Sequence, residues 1–234
     1  TMELATVNSV FQASLKNPMD AAIARHASLD LSSYTKIDEI PFDFARRRMS
    51  VIVAKAGRRM LITKGAPEGV LEACTRLELG SDAADAKDMT PRLRAAVLDE
   101  FERLSSDGYR AVAVAYRTIG NGREIYSIAD ESNMTFVGYV SFVDPPKEST
   151  REALEQAEAL GVEIKILTGD NELVTARICE RVGLAVKGVL MGQDVDALDD
   201  SELAARAEQA TVCARLSPDQ KDRIIAALKR SGHV

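Results

Sequence analysis

No stretch of this chain is apolar for long enough to cross a bilayer. The longest run, Phe136–Val143, is already broken by Gly138 and Ser141, and a spanning helix needs about 20 apolar residues. The N-terminal residues lack the basic, apolar and small-residue order of a signal peptide. Cysteine is scarce: Cys74, Cys179 and Cys213 are odd in number and widely separated. That spacing argues against a disulfide framework or a zinc site and suits a reducing compartment. Basic charge is not in excess either. A net charge of −6 argues against general affinity for nucleic acid or an anionic membrane. His26 and His233 have no partners at useful spacing. Ser/His/Asp and Cys/His arrangements, a Gly-rich P-loop and solenoid repeats are all missing. What remains is 234 residues, 46% hydrophobic and 28% charged, enough for one large or two ordinary domains with a proper core. The composition reads as soluble and cytoplasmic.

The order of elements divides the chain near residue 133. Met2–Leu15 has weak helical periodicity, and Pro18 after Asn17 opens a second helix with Asp20 in its first turn. Residues 27–36 read as a loop. Met49–Val53 and Met60–Thr63 form two extended runs around Gly57, a hairpin pattern, and Pro67 opens a short helix through Cys74. Gly80–Lys87 reads as a polar loop. Pro91–Ser105 carries Leu93, Val97, Leu98, Phe101 and Leu104 at helical spacing. Arg110–Tyr116 reads as a strand. Strands and helices without strict alternation predict an α+β domain over residues 1–133.

From 134 the pattern becomes strand–helix, repeated four times, which predicts a parallel, doubly wound sheet over 134–234. Its strands are Phe136–Val143, Val162–Leu167, Gly188–Met191 and Thr211–Ala214. Ser149 with Glu152 has capping-box spacing, with Leu154, Ala157 and Leu160 on the expected buried side. Asp170 or Asn171 caps the next helix, and Ser217-Pro218-Asp219-Gln220 is a second capping box.

Polar residues at the carboxyl end of a strand, where a helix begins, are where open α/β sheets place their chemistry. Thr168-Gly169-Asp170-Asn171 is such a group. Gly169 permits close backbone approach to an anion, the helix N-terminus favours negative charge, and the Thr168 hydroxyl adds a donor. The same residues also make an ordinary capped βα turn. Asp144-Pro145-Pro146-Lys147 holds a carboxylate stiffly after a strand, as a hinge or a metal-proximal acid needs; a rigid strand exit reads the same way. Lys221 stands in the first turn of a helix, against the dipole, where an anionic partner would explain it; a solvated lysine is the alternative. Lys64-Gly65-Ala66-Pro67 sets a lysine beside a glycine at a strand end, where a planar ligand could pack. Phe42, followed by Arg46–Arg48, puts an aromatic face next to positive charge, suited to a base and phosphates; a core phenylalanine is the competing reading. Asp194-Val195-Asp196 loosely follows the strand-end nucleophile pattern of phosphate-transferring enzymes, but Gly192-Gln193 intervenes and Leu198 replaces the small or hydroxyl residue expected.

Taken together, Lys64-Gly65-Ala66-Pro67-Glu68, Asp144-Pro145-Pro146-Lys147, Thr168-Gly169-Asp170-Asn171 and Ala214-Arg215-Leu216-Ser217-Pro218 with Lys221 resemble the cytoplasmic catalytic loop of P-type cation-transporting ATPases. They occur in the family's order along the whole chain. Asn8-Ser9, Lys16-Asn17, Lys36–Ser50 and Lys165–Leu184 look most like the bacterial magnesium-transporting members. The resemblance implies an α+β nucleotide-binding domain joined to an incomplete α/β phosphorylation domain of haloacid-dehalogenase, Rossmann-like type. It implies that Phe42 stacks on adenine and that Lys64 and Gly65 line the same pocket. Asp20 falls where the family has a glutamate near the base, Arg47 where a lysine is common, and Arg110 where an arginine reaches the phosphates. Phe44 falls where some pumps have a phosphate-binding arginine. Thr168, Gly169 and Asp170 would hold the transferred phosphoryl group, Lys221 would neutralise its charge, and Asp144 would sit at the hinge.

The family's Asp-Lys-Thr-Gly-Thr stretch, with its phosphorylated aspartate, is expected before residue 1, and its Gly-Asp-Gly-x-Asn-Asp magnesium-ligating stretch after residue 234. The implied ligands are ATP and Mg²⁺, the metal held mostly by residues outside this chain. The implied partners are the remaining phosphorylation-domain segments, an actuator domain and transmembrane helices. Phosphoryl transfer needs an in-line acceptor and a metal clamp, so this chain is expected to bind ATP without turning it over. Two rivals remain at this stage: a stand-alone phosphatase of the same superfamily using Asp194, and a non-catalytic nucleotide-sensing module.

Overall fold

The computed structural model describes residues 1–13, 17–27, 29–80, 85–143 and 145–233. It forms two compact units, one of Thr1–Phe101 with Ala111–Phe142, the other of Glu102–Arg110 with Val143–Val234.

The first unit is built on seven strands: β1 (Tyr34–Asp43), β2 (Arg48–Lys55), β3 (Arg58–Gly65), β4 (Cys74–Glu78), β5 (Ala86–Asp88), β6 (Tyr109–Ile119) and β7 (Met134–Val143). They lie in the order β1-β2-β3-β6-β7-β4-β5. The pairs β1–β2, β2–β3, β3–β6 and β4–β5 are antiparallel and β4–β7 is parallel, so the sheet is mostly antiparallel. The β2–β3 hairpin turns at Ala56-Gly57, both at positive φ, in the place the sequence predicts.

This sheet is buried on both faces, and the two-residue period of a strand sorts its side chains. Ile52, Leu61, Ala113 and Ala115 point into one cluster with Val70, Leu71, Met134 and Phe136. Val51, Val53, Ile62 and Val114 point into the other, against Ala5 and Val7 of α1 (Met2–Phe11) and Ile23 of α2 (Pro18–His26). The first cluster is covered by Leu93, Val97 and Leu98 of α4 (Pro91–Ser106). The Asn17–Asp20 capping box and Pro18 start α2 as expected. The short helix α3 (Pro67–Glu72) stops before Cys74 and is followed by β4, which the sequence reading did not foresee. Of the expected loop Gly80–Lys87, residues 81–84 lie outside the described residues, and its last part is strand β5.

β7 differs from expectation. Placed by sequence at the start of the second domain, it instead pairs with β4 and neighbours β6 in the first sheet. Met134 and Phe136 are buried in that core. An apolar run before a helix looks the same whether it closes the preceding sheet or opens the next one.

The second unit has a three-stranded sheet of β8 (Ile166–Leu167), β9 (Val189–Met191) and β10 (Val212–Ala214), ordered β8-β10-β9 and all parallel. Three of the four expected strand–helix repeats therefore meet in one parallel sheet. Cys213 of the central strand faces the larger cluster with Leu190, Leu203, Leu216 and Ile224. Val212 and Ala214 face Cys179 on the other side. The helices are α5 (Ser149–Ala159), α6 (Glu172–Val182), α7 (Gly192–Ala197), α8 (Asp200–Gln209) and α9 (Pro218–Arg230). The Ser217–Gln220 capping box forms as predicted, and Asn171 rather than Asp170 caps α6. The predicted Ser149–Glu152 box does not form, because the helix begins after Glu148, whose helical backbone leaves no side-chain cap. The expected buried face of α5 is not buried either: none of its residues is buried, and Leu160 just beyond it is 81% exposed. Leu154 and Ala157 are only half-buried.

Candidate functional site

In the first unit the strand registers gather the singled-out residues at one end of the sheet. Asp43 of β1 stands opposite Arg48 of β2, which stands opposite Gly65 of β3, and Met49 stands opposite Lys64. Phe42, Arg47, Lys64 and Gly65 thus share that end. Two buried polar clusters hold it, and strand alternation puts them on opposite faces.

The cluster on the α1–α2 face is centred on Lys64, which is 6% exposed. Its Nζ donates to a carboxylate oxygen of Asp20 and, at 2.6 Å, to Ser9 Oγ. Ser9 Oγ donates in turn to Asp20 Oδ1 at 2.9 Å. Asp20 also closes the cap of α2 from its other oxygen. Burial pushes the Asp20 carboxyl up, but hydrogen bonds and charge from Lys64, with a bond from Ser9, outweigh it and hold the group below the usual aspartate value. Burial lowers the Lys64 ammonium, against the pull of Asp20. The structure therefore joins two residues the sequence reading placed in one pocket, but as each other's partners.

The opposite face carries a cluster that sequence reasoning missed. The Glu131 side chain is fully buried and accepts from Arg46 Nη1, from Arg48 Nε at 2.9 Å and from Ser50 Oγ at 2.7 Å. Arg46 also bonds Asp43 and the Pro41 carbonyl, and Arg48 bonds the Gly69 carbonyl. Two of the three consecutive arginines are thereby consumed inside the fold. Arg47, between them, is exposed and has a positive φ of 52°. Nothing in the sequence singles out Glu131, whose charge gains meaning only when the fold brings it beneath the arginines.

Gly65 is explained by this turn. A Cβ there would clash with the Arg47 carbonyl oxygen and sit 2.6 Å from Arg48 Cα. The Ala66 amide donates to the same Arg47 carbonyl at 2.8 Å. The open side expected at Gly65 for a planar ligand is, in the Cβ direction, filled by backbone. Phe42, which could have been core, is 45% exposed and meets Phe44, 65% exposed, edge-on at 5.4 Å between ring centroids. An exposed aromatic pair beside an exposed arginine is suited to stacking on a base and meeting an anionic group.

In the second unit, Thr168-Gly169-Asp170 follows β8 and Arg215-Leu216-Ser217 follows β10, so both loops lie at the carboxyl edge of adjacent parallel strands. The loops are laced together: the Arg215 amide donates to the Asp170 carbonyl at 2.9 Å and the Leu216 amide to the Thr168 carbonyl at 3.0 Å. The Thr168 hydroxyl accepts from the Asp170 amide at 3.0 Å and lies 3.1 Å from its carboxylate. Gly169 packs where a Cβ would approach the Leu216 carbonyl to 3.3 Å. Arg215, at φ 56°, grips Glu172 by two nitrogens at 2.6 and 3.3 Å. Burial raises the Glu172 carboxyl, but Arg215 outweighs it and holds it low. Within this unit Arg110 Nη2 lies 2.7 Å from Asp170 Oδ1, beside the Thr-Gly-Asp loop. Lys221 is half-buried in the first turn of α9, and among the described residues no carboxylate pairs with it. Asp144 lies outside the described residues. Asp194 stands in the first turn of α7, not in a strand-end loop. Among the described residues no group of His, Cys, Asp and Glu could hold a metal ion, and no helix is long and apolar enough to cross a membrane.

A mostly antiparallel, helix-covered sheet thus carries an exposed aromatic–arginine turn at one end. A family model described as P-type ATPase, cytoplasmic domain N, matches residues 5–149, and the chain belongs to that family. It is 42% identical over 98% of its length to the Magnesium-transporting ATPase, P-type 1, of Escherichia coli (strain K12). It is 43% identical over its full length to the protein of that name from Salmonella typhimurium (strain 14028s / SGSC 2262). A Calcium-transporting ATPase of Bacillus subtilis (strain 168) is 32% identical over 87% of this chain. The chain spans about a quarter of these relatives, 26%, 26% and 23% of their lengths.

Proposed function

We propose that this chain is the ATP-binding cytoplasmic portion of a P-type ATPase that couples ATP hydrolysis, through an aspartyl phosphate, to cation transport across the plasma membrane, the cation being Mg²⁺. The observation that carries the reading is the exposed Phe42–Phe44 pair beside the outward Arg47. Large aromatic faces are normally buried, and an exposed ring next to a cation suits a base and its phosphates. Membership of the family and 42% identity to a magnesium-transporting ATPase support it.

In this reading Phe42 stacks on adenine and Arg47 meets the phosphates. Lys64, held by Asp20, supports the floor of the same site, next to Gly65. The second unit is the partial phosphorylation domain of haloacid-dehalogenase type. Thr168, Gly169 and Asp170 hold the phosphoryl group there, with Arg110 beside Asp170 and Lys221 neutralising charge. Asp144 is the hinge. When bound, Mg²⁺ would neutralise phosphate charge, in this reading held mostly by residues elsewhere in the pump. In this reading the isolated chain binds ATP without turnover. Its partners are the rest of the phosphorylation domain, the actuator domain and the membrane helices of the parent.

Calorimetric titration with ATP tests this, with Phe42→Ala alongside and a phosphate-release assay. Removing the stacked ring is expected to weaken binding by about 1–3 kcal/mol, the worth of a base–aromatic stack, with no phosphate released. Steady release lost on Asp194→Asn would instead support a phosphatase.

A further inference from the structure

Three consecutive arginines after an exposed phenylalanine look like a broad phosphate-binding patch, but the structure divides them. Arg46 and Arg48 both turn inward to Glu131, whose side chain is fully buried, while Arg47 alone is exposed. Charge balances inside: the two guanidiniums face the carboxylates of Glu131 and Asp43. The Ser50 hydroxyl has a single proton, which it gives to Glu131 at 2.7 Å. In its 2.7 Å bond with Thr63 it must therefore accept. Glu131 is thus linked through Ser50 to Thr63 on β3, one residue from Lys64. The turn above is as tightly determined: the Arg47 amide donates to the Asp43 carbonyl at 2.9 Å, and the Arg47 carbonyl accepts from Ala66. Gly65 and Gly69 admit the turn because a Cβ at either would clash with an Arg47 or Arg46 carbonyl. A non-glycine residue held at positive φ persists only where its surroundings over-determine it.

We propose that Glu131 is a positioning and specificity-determining residue for nucleotide binding: by holding Arg46 and Arg48 inside, it sets the Phe42–Arg48 turn and leaves Arg47 as the one arginine of the three presented to the ligand. This rests on the proposed ATP site and deepens it. Glu131 does not touch the nucleotide. Without its charge, the two inner guanidiniums lose their anchor and turn outward, and the aromatic pair loses its fixed presentation. Affinity for ATP then falls while affinity for a bare polyphosphate rises. That opposite movement separates positioning from a general loss of stability, which would weaken both.

The test titrates ATP and inorganic tripolyphosphate into the chain and its Glu131→Gln and Glu131→Asp variants, at a temperature where circular dichroism shows each folded. The expected result for Glu131→Gln is an ATP Kd raised about tenfold or more, since preorganisation is lost, with tripolyphosphate bound more tightly. Glu131→Asp, which keeps the charge, recovers part of the ATP affinity. In the double variant with Phe42→Ala, the second substitution adds little, because the ring is already misplaced. If Glu131→Gln does not fold, Ser50→Ala replaces it, and the same opposite movement is expected at smaller size. Unchanged Kd values, or equal weakening for both ligands, in a folded variant would overturn the proposal while leaving the ATP site standing. If the unaltered chain binds no ATP, the ATP site falls and the proposal with it.

Discussion

Lys64 and Asp20 are each almost fully buried and satisfy one another, so removing one charge strands the other. Lys64→Ala is expected to cost about 3–5 kcal/mol, the range for breaking a buried pair, read as a lowered urea midpoint at unchanged slope. The double variant Lys64→Met with Asp20→Asn is expected to recover most of that loss. The same pair shapes the acid limb of stability. The folded-state pKa of Asp20 lies below its ordinary 3.8, so its contribution is complete above that value and is lost as pH falls through the folded pKa. Asp20→Asn should flatten the fall in stability below about pH 4; an unchanged acid limb would contradict the assignment. The thiols give a third expectation. Burial pushes Cys74 up to about 12 and Cys213 to about 11, and raises Cys179. All three are buried and free. A disulfide reagent at neutral pH should therefore titrate none of them until denaturant is added, and then all three. Among these residues, the sequence marked Lys64 by its place beside a glycine at a strand end and Asp20 by family position; their mutual bond required α2 to dock on β3, which no local pattern announces.

The β2–β3 hairpin and the Asp43–Arg48 turn depend on different properties of glycine. Gly65→Ala puts a methyl group into the Arg47–Arg48 backbone and is expected to cost about 1–3 kcal/mol or more, as overpacking does. Gly120→Ala meets nothing within 4 Å and should stay within about 0.5 kcal/mol of the parent. Thermal melts of the two variants separate close approach from generic loss of flexibility. The hairpin, α4 and the Ser217–Gln220 cap were readable because their signals are local: period-two apolar runs around Gly57, a helical stripe, and Ser-Pro-Asp-Gln. Strand β4 was hidden behind a helix start at Pro67, since Cys74-Thr75-Arg76-Leu77-Glu78 is too polar to stand out. β7 was found as a strand but assigned to the wrong sheet, since only pairing with β4 decides which core receives Met134 and Phe136. The apolar stripe of α5 misled for the opposite reason: its spacing is helical, but none of its residues is buried.

Two units with separate cores, one mostly antiparallel and one parallel, make a protein in which the Phe42–Arg48 turn and the Thr-Gly-Asp loop belong to different structural frames. The sequence order suggested a division near residue 133, whereas the two units part after Phe142 and the second also takes in Glu102–Arg110. The end of the first sheet proposed to bind nucleotide was legible only as a set of residue types. Phe42 could have been core until its exposure was seen, and the three arginines read as equals until Glu131 separated them. The measurement that bears most directly on the account is an ATP titration of the chain followed residue by residue by backbone amide chemical shifts. The account predicts saturable shifts concentrated in Phe42–Arg48 and Lys64–Ala66, abolished by Phe42→Ala, without phosphate release. Shifts that never saturate, or that leave the Phe42–Arg48 turn unmoved, would contradict it.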